Sequence, residues 1–181
     1  MVRNLSDSGN AVLGIGYFFS VLTILTFLGG STAVFAFFTY PISIVLRGVG
    51  WIRLGINIKK YLITGIAIIV LAPLYYMGFL FNEPVSKTLG LKIGQLLAIL
   101  LAIWLIYSIF EAVGYFMLGR DNNKRFYGAL ISIIGLLVVF YNLPVIWSGK
   151  GLETLILLYP ALPFLLLSSI FAAIGSFKMS S

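Results

Sequence analysis

The sequence predicts an all-α integral membrane protein: six transmembrane helices arranged as three repeated helical hairpins, with both termini cytoplasmic. Composition is the first reason. Of 181 residues, 61% are hydrophobic and 9% charged, and the mean hydropathy is +1.10, which leaves too little polar surface to cover a water-soluble globule of this size. A repeat is the second. Arg47-Gly-Val-Gly-Trp-Ile-Arg-Leu-Gly55 aligns with Glu111-Ala-Val-Gly-Tyr-Phe-Met-Leu-Gly119, and Ala172-Ala-Ile-Gly-Ser-Phe177 carries the core of the pattern again. A period of roughly a third of the chain, with two long apolar runs in each copy, makes the unit a hairpin. The chain is then a single transmembrane domain over 1–181, with hairpins at about 1–58, 59–122 and 123–181. The third reason is the placement of lysine and arginine.

The spans follow in order from runs of about 17 to 25 apolar residues. The first two, 11–28 and 33–55, are separated only by Gly29-Gly30-Ser31, and no charge falls between Ala11 and Leu46. As one helix that uncharged stretch would be about 54 Å long, against a hydrocarbon core of about 30 Å, so it must turn back. The third span is 61–81 and the fourth 93–119, with Asn82-Glu-Pro-Val-Ser-Lys87 as the turn between them. Arg120-Asp-Asn-Asn-Lys-Arg125 precedes the fifth, 126–142. The run from Asn142 to Gly151 is the last turn, before the sixth span at 152–177. Pro41, Pro73, Pro160 and Pro163 fall inside spans, where each removes a helix hydrogen bond, but not at matching repeat positions.

With both termini inside, the cytoplasmic side holds Arg3, Arg47, Arg53, Lys59, Lys60, Arg120, Lys124, Arg125 and Lys178, and the outer side Lys87, Lys92 and Lys150. Short loops biased this way orient the chain. Aromatics are expected to anchor it: Trp51, Tyr61, Tyr115 and Tyr127 at the inner interface, Tyr75, Tyr76, Tyr141, Trp147 and Tyr159 at the outer. The apolar pattern recurs to the end and the first run is too long for a signal-peptide core, so the N-terminus is expected to be retained. The net charge of +7 is that of basic turns facing an anionic inner leaflet, so the expected partners are membrane lipids and other membrane-protein subunits, with no nucleic acid.

Missing residue types narrow the chemistry. The chain has no cysteine, which removes disulfides, iron–sulfur clusters and thiolate metal sites. It has no histidine either, which removes imidazole metal sites, His-held haem and Ser-His or Cys-His catalysis. Five carboxylates, mostly in turns or at helix ends, offer neither an all-oxygen metal cage nor a paired acid/base site. No catalytic residue, cofactor or metal is expected.

What remains is a pair of charges inside spans. Arg47 and Glu111 hold equivalent positions in two copies, each eight residues or about 12 Å before the glycine that ends its helix. An intramembrane charge is costly, and arginine can extend to the interface more readily than glutamate. The sharpest expectation is an ion pair across the bundle, with Ala172 of the third copy leaving room beside it. The alternatives are a contact with a partner protein and separate snorkelling to headgroups. Small residues at four-residue spacing, Ser168, Ala172 and Ser176, Ala98 and Ala102, and Gly90 with Gly94, mark close helix packing. Thr23, Thr26, Thr39, Gln95, Tyr107, Ser108 and Ser132 read as scattered hydroxyls and amides. Gly14-Ile-Gly16 lacks the third glycine and the strand of a dinucleotide site.

The Gly-x-x-x-Leu-Gly helix ends at 50–55 and 114–119, the basic turns Lys59-Lys-Tyr61 and Lys124-Arg-Phe126, and the closing Ile170-Phe-Ala-Ala-Ile-Gly-Ser-Phe-Lys178 together resemble multi-pass membrane families of unknown function found in archaea. The resemblance implies a prokaryotic plasma-membrane location and brings no reaction or site residues. Small loops and the lack of any catalytic constellation point to a non-catalytic accessory or structural subunit of a larger membrane complex, of respiratory or oxidase type. The alternative is a small-solute or ion transporter or channel with Arg47 and Glu111 at its inner end, which requires a cavity between the repeats. An intramembrane enzyme acting on lipid or quinone would need Glu111 or a tyrosine to do all the acid/base work.

Overall fold

A computed structural model describes residues 2–29, 34–56, 58–119, 123–149 and 151–177, with backbone alone at 2–7 and 60. Long apolar runs uninterrupted by turn residues become helices: α1 Val2–Leu28, α2 Ala36–Gly55, α3 Lys59–Leu80, α4 Asn82–Leu89, α5 Ile93–Leu118, α6 Asn123–Ser148 and α7 Leu162–Phe177, with a 3-10 helix at Leu152–Ala161 leading into α7. No strand occurs among the described residues. Among the described residues, five stretches are long and apolar enough to cross a membrane: Ser8–Leu28, Tyr61–Leu80, Ile93–Leu118, Asn123–Ser148 and Leu152–Phe177. The remaining long helix, α2, has 20 residues and is more polar because it carries Arg47 and Arg53.

The six long helices close into a ring. α1 packs on α2, α2 on α3, α3 on α5, α5 on α6, α6 on α7, and α7 returns to α1, while α4 lies against the start of α5. Lipid gives apolar helices no hydrophobic reason to associate, so approach depends on small side chains and interhelical hydrogen bonds. The first hairpin uses both. A Cβ on Gly16 would lie 2.8 Å from the Arg47 backbone N, and one on Gly50 2.9 Å from that of Leu13. Further along the hairpin, Ser20 and Ser43 hydroxyls meet at 2.7 Å, Thr23 donates to Thr39 at 2.8 Å, and Ser43 donates to the Gly16 carbonyl at 3.0 Å. Gly55 and Gly119, aligned by the repeat, make the same contact with the next helix: a Cβ would stand 2.2 Å from the Leu62 N and 2.6 Å from the Phe126 N.

Several expectations are corrected. The run expected as a turn at 82–87 is the helix α4. It ends at Gly90, whose φ of 66° is left-handed and beside which an added Cβ would meet nothing. Gly90 therefore serves the turn and not helix packing. Gly94 does pack, since its Cβ would fall 2.2 Å from the Gly149 carbonyl oxygen; Ala98 is buried and Ala102 half-buried. α6 does not stop at Asn142 but runs through Pro144 to Ser148, while the Asn142 amide donates to the Val138 carbonyl at 2.8 Å. A proline inside a membrane helix is tolerated where other groups satisfy the neighbouring backbone. The sixth run is not α-helical throughout: Pro160 lies in its 3-10 part, and Pro163 sits in the first turn of α7, where no N–H is needed.

Aromatic placement is corrected too. Trp51, Tyr61 and Tyr115 are buried in the core and cannot anchor to headgroups, whereas Tyr127, Tyr141, Trp147 and Tyr159 are exposed. Gly30, Ser31, Ala33, Arg120, Asp121, Asn122, Lys150 and Lys178, and the side chains of Arg3 and Lys60, lie outside the described residues.

Candidate binding cavity

The ring surrounds a partly open cavity of about 340 Å³ with lining from every long helix and from the 3-10 segment. Arg47, Glu111 and Ala172, which the repeat sets equivalent, all line it. Arg47 Nη1 donates to Glu111 Oε2 at 2.9 Å, so the two charges meet within the chain. Glu111 Oε1 accepts from the Tyr17 hydroxyl and from Trp51 Nε1 at 3.3 Å. A carboxylate out of water is costly unless its lone pairs are engaged, and here three donors from two helices engage them. Arg47 has less help: its Nη1 is used, its Cζ lies 5.5 Å from the centre of the Tyr17 ring, a cation–π distance, and its Nε has no hydrogen-bond partner.

Sequence positions explain how the cluster assembles. Trp51 follows Arg47 by one turn on α2, so both reach the same carboxylate. Gly114, one turn after Glu111 on α5, clears the path: a Cβ there would lie 2.8 Å from the tip of the Trp51 indole. Tyr115 packs edge-on to Tyr17 at 4.9 Å and to Trp51 at 5.2 Å, and its hydroxyl is 3.4 Å from Ser176 Oγ. Trp51, Tyr115 and Ser176 are again positions that the repeat sets equivalent. Trp51 and Tyr115 share a buried apolar cluster with Leu13 and Tyr61. The small residues of α7 face the same interior: Ser168 and Ala172 line the cavity and Ser176 is fully buried.

Three of the residues that read as scattered are gathered here. Thr23, Ser108 and Ser132 line the cavity with Ser20 and Ser168, and Tyr107 shares a 2.6 Å hydrogen bond with Tyr40. The period of a helix hid this, because residues on separate helices meet only once the ring closes. Gln95 belongs elsewhere: its side chain accepts the Lys92 N–H at 3.0 Å and caps α5. Away from the ion pair the cavity is bounded by Phe27, Phe37 and Tyr159, all exposed, and Tyr76 donates to the Phe37 carbonyl at 2.7 Å.

Sequence reasoning missed three participants. Tyr17 carried no signal. Trp51 was assigned to the interface, although its repeat position beside the Arg47 and Glu111 level pointed inward. Arg125, read as a loop cation, is fully buried outside the cavity lining, with Nη2 donating to Asn10 Oδ1 at 2.8 Å, Nε and Nη1 without hydrogen-bond partners, and its Cγ only 2.6 Å from where a Gly175 Cβ would sit.

The chain matches no protein-family model, no curated protein and no solved structure.

Proposed function

We propose that the protein is a small-solute binding protein of transporter type, crossing a prokaryotic plasma membrane six times as three hairpins, with both termini cytoplasmic. The observation that carries this reading is the cavity. Its 340 Å³ falls within the range of about 300 to 1,000 Å³ of small-molecule sites, and intramembrane charges facing an interior cavity mark solute paths. The gathering of Arg47, Glu111 and Ala172 in the lining of one cavity is the arrangement expected of a site at a repeat interface.

The sixth crossing is assigned to α2, whose 20 residues reach about 30 Å and whose Tyr40 and Arg47 face the cavity. The orientation rests on charge. Arg47 and Arg125 are buried and leave the loop count, but the remaining inner cations of the nine still outnumber Lys87, Lys92 and Lys150 outside.

An accessory subunit would need a partner-facing surface distinct from a lipid-facing one. The outward residues of α6, such as Leu137 and Phe140 at 60% and 65% exposure, are apolar, which lipid alone satisfies. Native mass measurement on protein extracted from its own membrane tests the proposal. A monomer or homo-oligomer that retains a small molecule, and loses it when Ser132→Trp fills the cavity, is the expected result. A stable hetero-complex with no retained molecule would contradict it.

A further inference from the structure

We propose that the cavity takes a neutral, largely apolar molecule whose head is a hydrogen-bond-accepting carbonyl oxygen, of ketone, ester or quinone kind, seated on Arg47; this rests on the solute-binding reading above. Hydrogen bonding at the ion pair decides the polarity of the head. Glu111 already accepts from Tyr17, Trp51 and Arg47, three of its roughly four lone-pair sites, so a ligand that donates finds one acceptor site left. Arg47 is the reverse case. Of the five N–H groups of a guanidinium, one is committed to Glu111; Nε is unpartnered but occluded, so a ligand head meets the 11% of the side chain that stays open. A head that accepts therefore meets an under-used cation. The lining hydroxyls of Ser108 and Ser132 take either role and do not alter this preference.

Charge then separates a carbonyl from a carboxylate. Arg47 and Glu111 at 2.9 Å neutralise one another, and Arg125, the other buried cation, is held by Asn10 and does not line the cavity. A carboxylate arriving at Arg47 would place two negative charges beside one guanidinium, away from water, where an uncompensated ion is heavily penalised. A carbonyl adds no charge and gains a hydrogen bond to a cation, stronger than a neutral one. The tail is set by the wall: Ile24, Leu101, Leu136, Val139 and Leu165 line the cavity and offer only apolar contact.

The test compares four labelled probes of matched chain length, 2-undecanone, undecanoate, undecylammonium and undecane. Each is measured as retention by the protein in nanodiscs above that of empty nanodiscs. The expected result is that 2-undecanone is held about tenfold more tightly than the other three. The double variant Arg47→Met/Glu111→Gln, which removes both charges together, should bring the ketone down to the level of undecane without changing undecane. Tighter retention of undecanoate or undecylammonium, or equal retention of ketone and undecane by the unaltered protein, overturns the assignment of the head while leaving the cavity reading standing. Undiminished ketone binding by the double variant overturns the role of Arg47. Retention of none of the four overturns the solute-binding reading itself. The selectivity of the unaltered protein decides the matter without any variant if the double variant does not fold.

Discussion

Gly114 and Trp51 are fitted to one another: the indole occupies the space that a side chain at 114 would take, at 2.8 Å from its Cβ, and from there reaches the carboxylate of Glu111 one turn away. The absence of a side chain on α5 thus lets α2 supply a second donor to the buried charge.

Gly114→Ala should accordingly disturb more than packing. Forcing a methyl into a filled interior costs about 1 to 3 kcal/mol, and the displaced indole loses its hydrogen bond to Glu111. Thermal unfolding in detergent and the tryptophan emission spectrum check this together. A variant with unchanged stability and unchanged emission would mean that Trp51 does not lie against Gly114.

The Arg47–Glu111 pair should behave as one unit. Removing one partner of a buried ion pair costs about 3 to 5 kcal/mol because the other charge is left uncompensated, so Arg47→Met and Glu111→Leu should each be strongly destabilising. The double variant should cost well below the sum. Reversal of both charges should restore only part of the loss, since Tyr17 and Trp51 would then aim their donors at an arginine. A double-mutant cycle on unfolding free energy checks both statements, and additive effects would count against the pair.

Gly90 and Gly94, adjacent in the same small-residue pattern, should fail for different reasons. At Gly90 an alanine meets no neighbour but must adopt φ near 66°, which costs about 1 to 2 kcal/mol for an L-residue, less for asparagine. At Gly94 the backbone is ordinary helix, yet a methyl would collide with the Gly149 and Ile146 carbonyl oxygens, so asparagine should be worse than alanine. Unfolding midpoints of the four variants check the opposite ranking at the two sites.

The Tyr40–Tyr107 hydroxyl contact of 2.6 Å should contribute about 0.5 to 1.5 kcal/mol. Tyr107→Phe removes it without changing volume and leaves the Tyr40 hydroxyl beside the cavity. Stability should fall by that amount, with the melting transition remaining cooperative.

The fold was legible where one physical rule acts alone. Apolar run length located the long helices, and the glycine-marked helix ends drew attention to Arg47 and Glu111, which meet as an ion pair. It was illegible where two rules compete. Pro144 reads as a terminus in water, but α6 passes through it because buried membrane helices have no better partner for their backbone than themselves. Trp51, Tyr61 and Tyr115 obey the positional statistics of interfacial aromatics, yet they pack inward, Trp51 into the space that Gly114 leaves open. The cavity hydroxyls were invisible for a third reason: Ser108, Ser132 and Ser168 become neighbours only through ring closure, a relation between distant segments that no local spacing encodes.

The chain contains no cysteine, so single cysteines report position against a silent background. The central claim, a ring of helices around a solute-accessible cavity, is tested most directly by placing one at Ser132 or Ser168 in the lining and one at Leu137 or Phe140 on the exposed outer face, then following reaction with a small thiol reagent in nanodiscs. The account predicts that the two lining thiols react, that 2-undecanone slows them, and that the outer thiols do not respond to the ketone. Lining thiols that never react, or that respond to the ketone no differently from the outer pair, would contradict it.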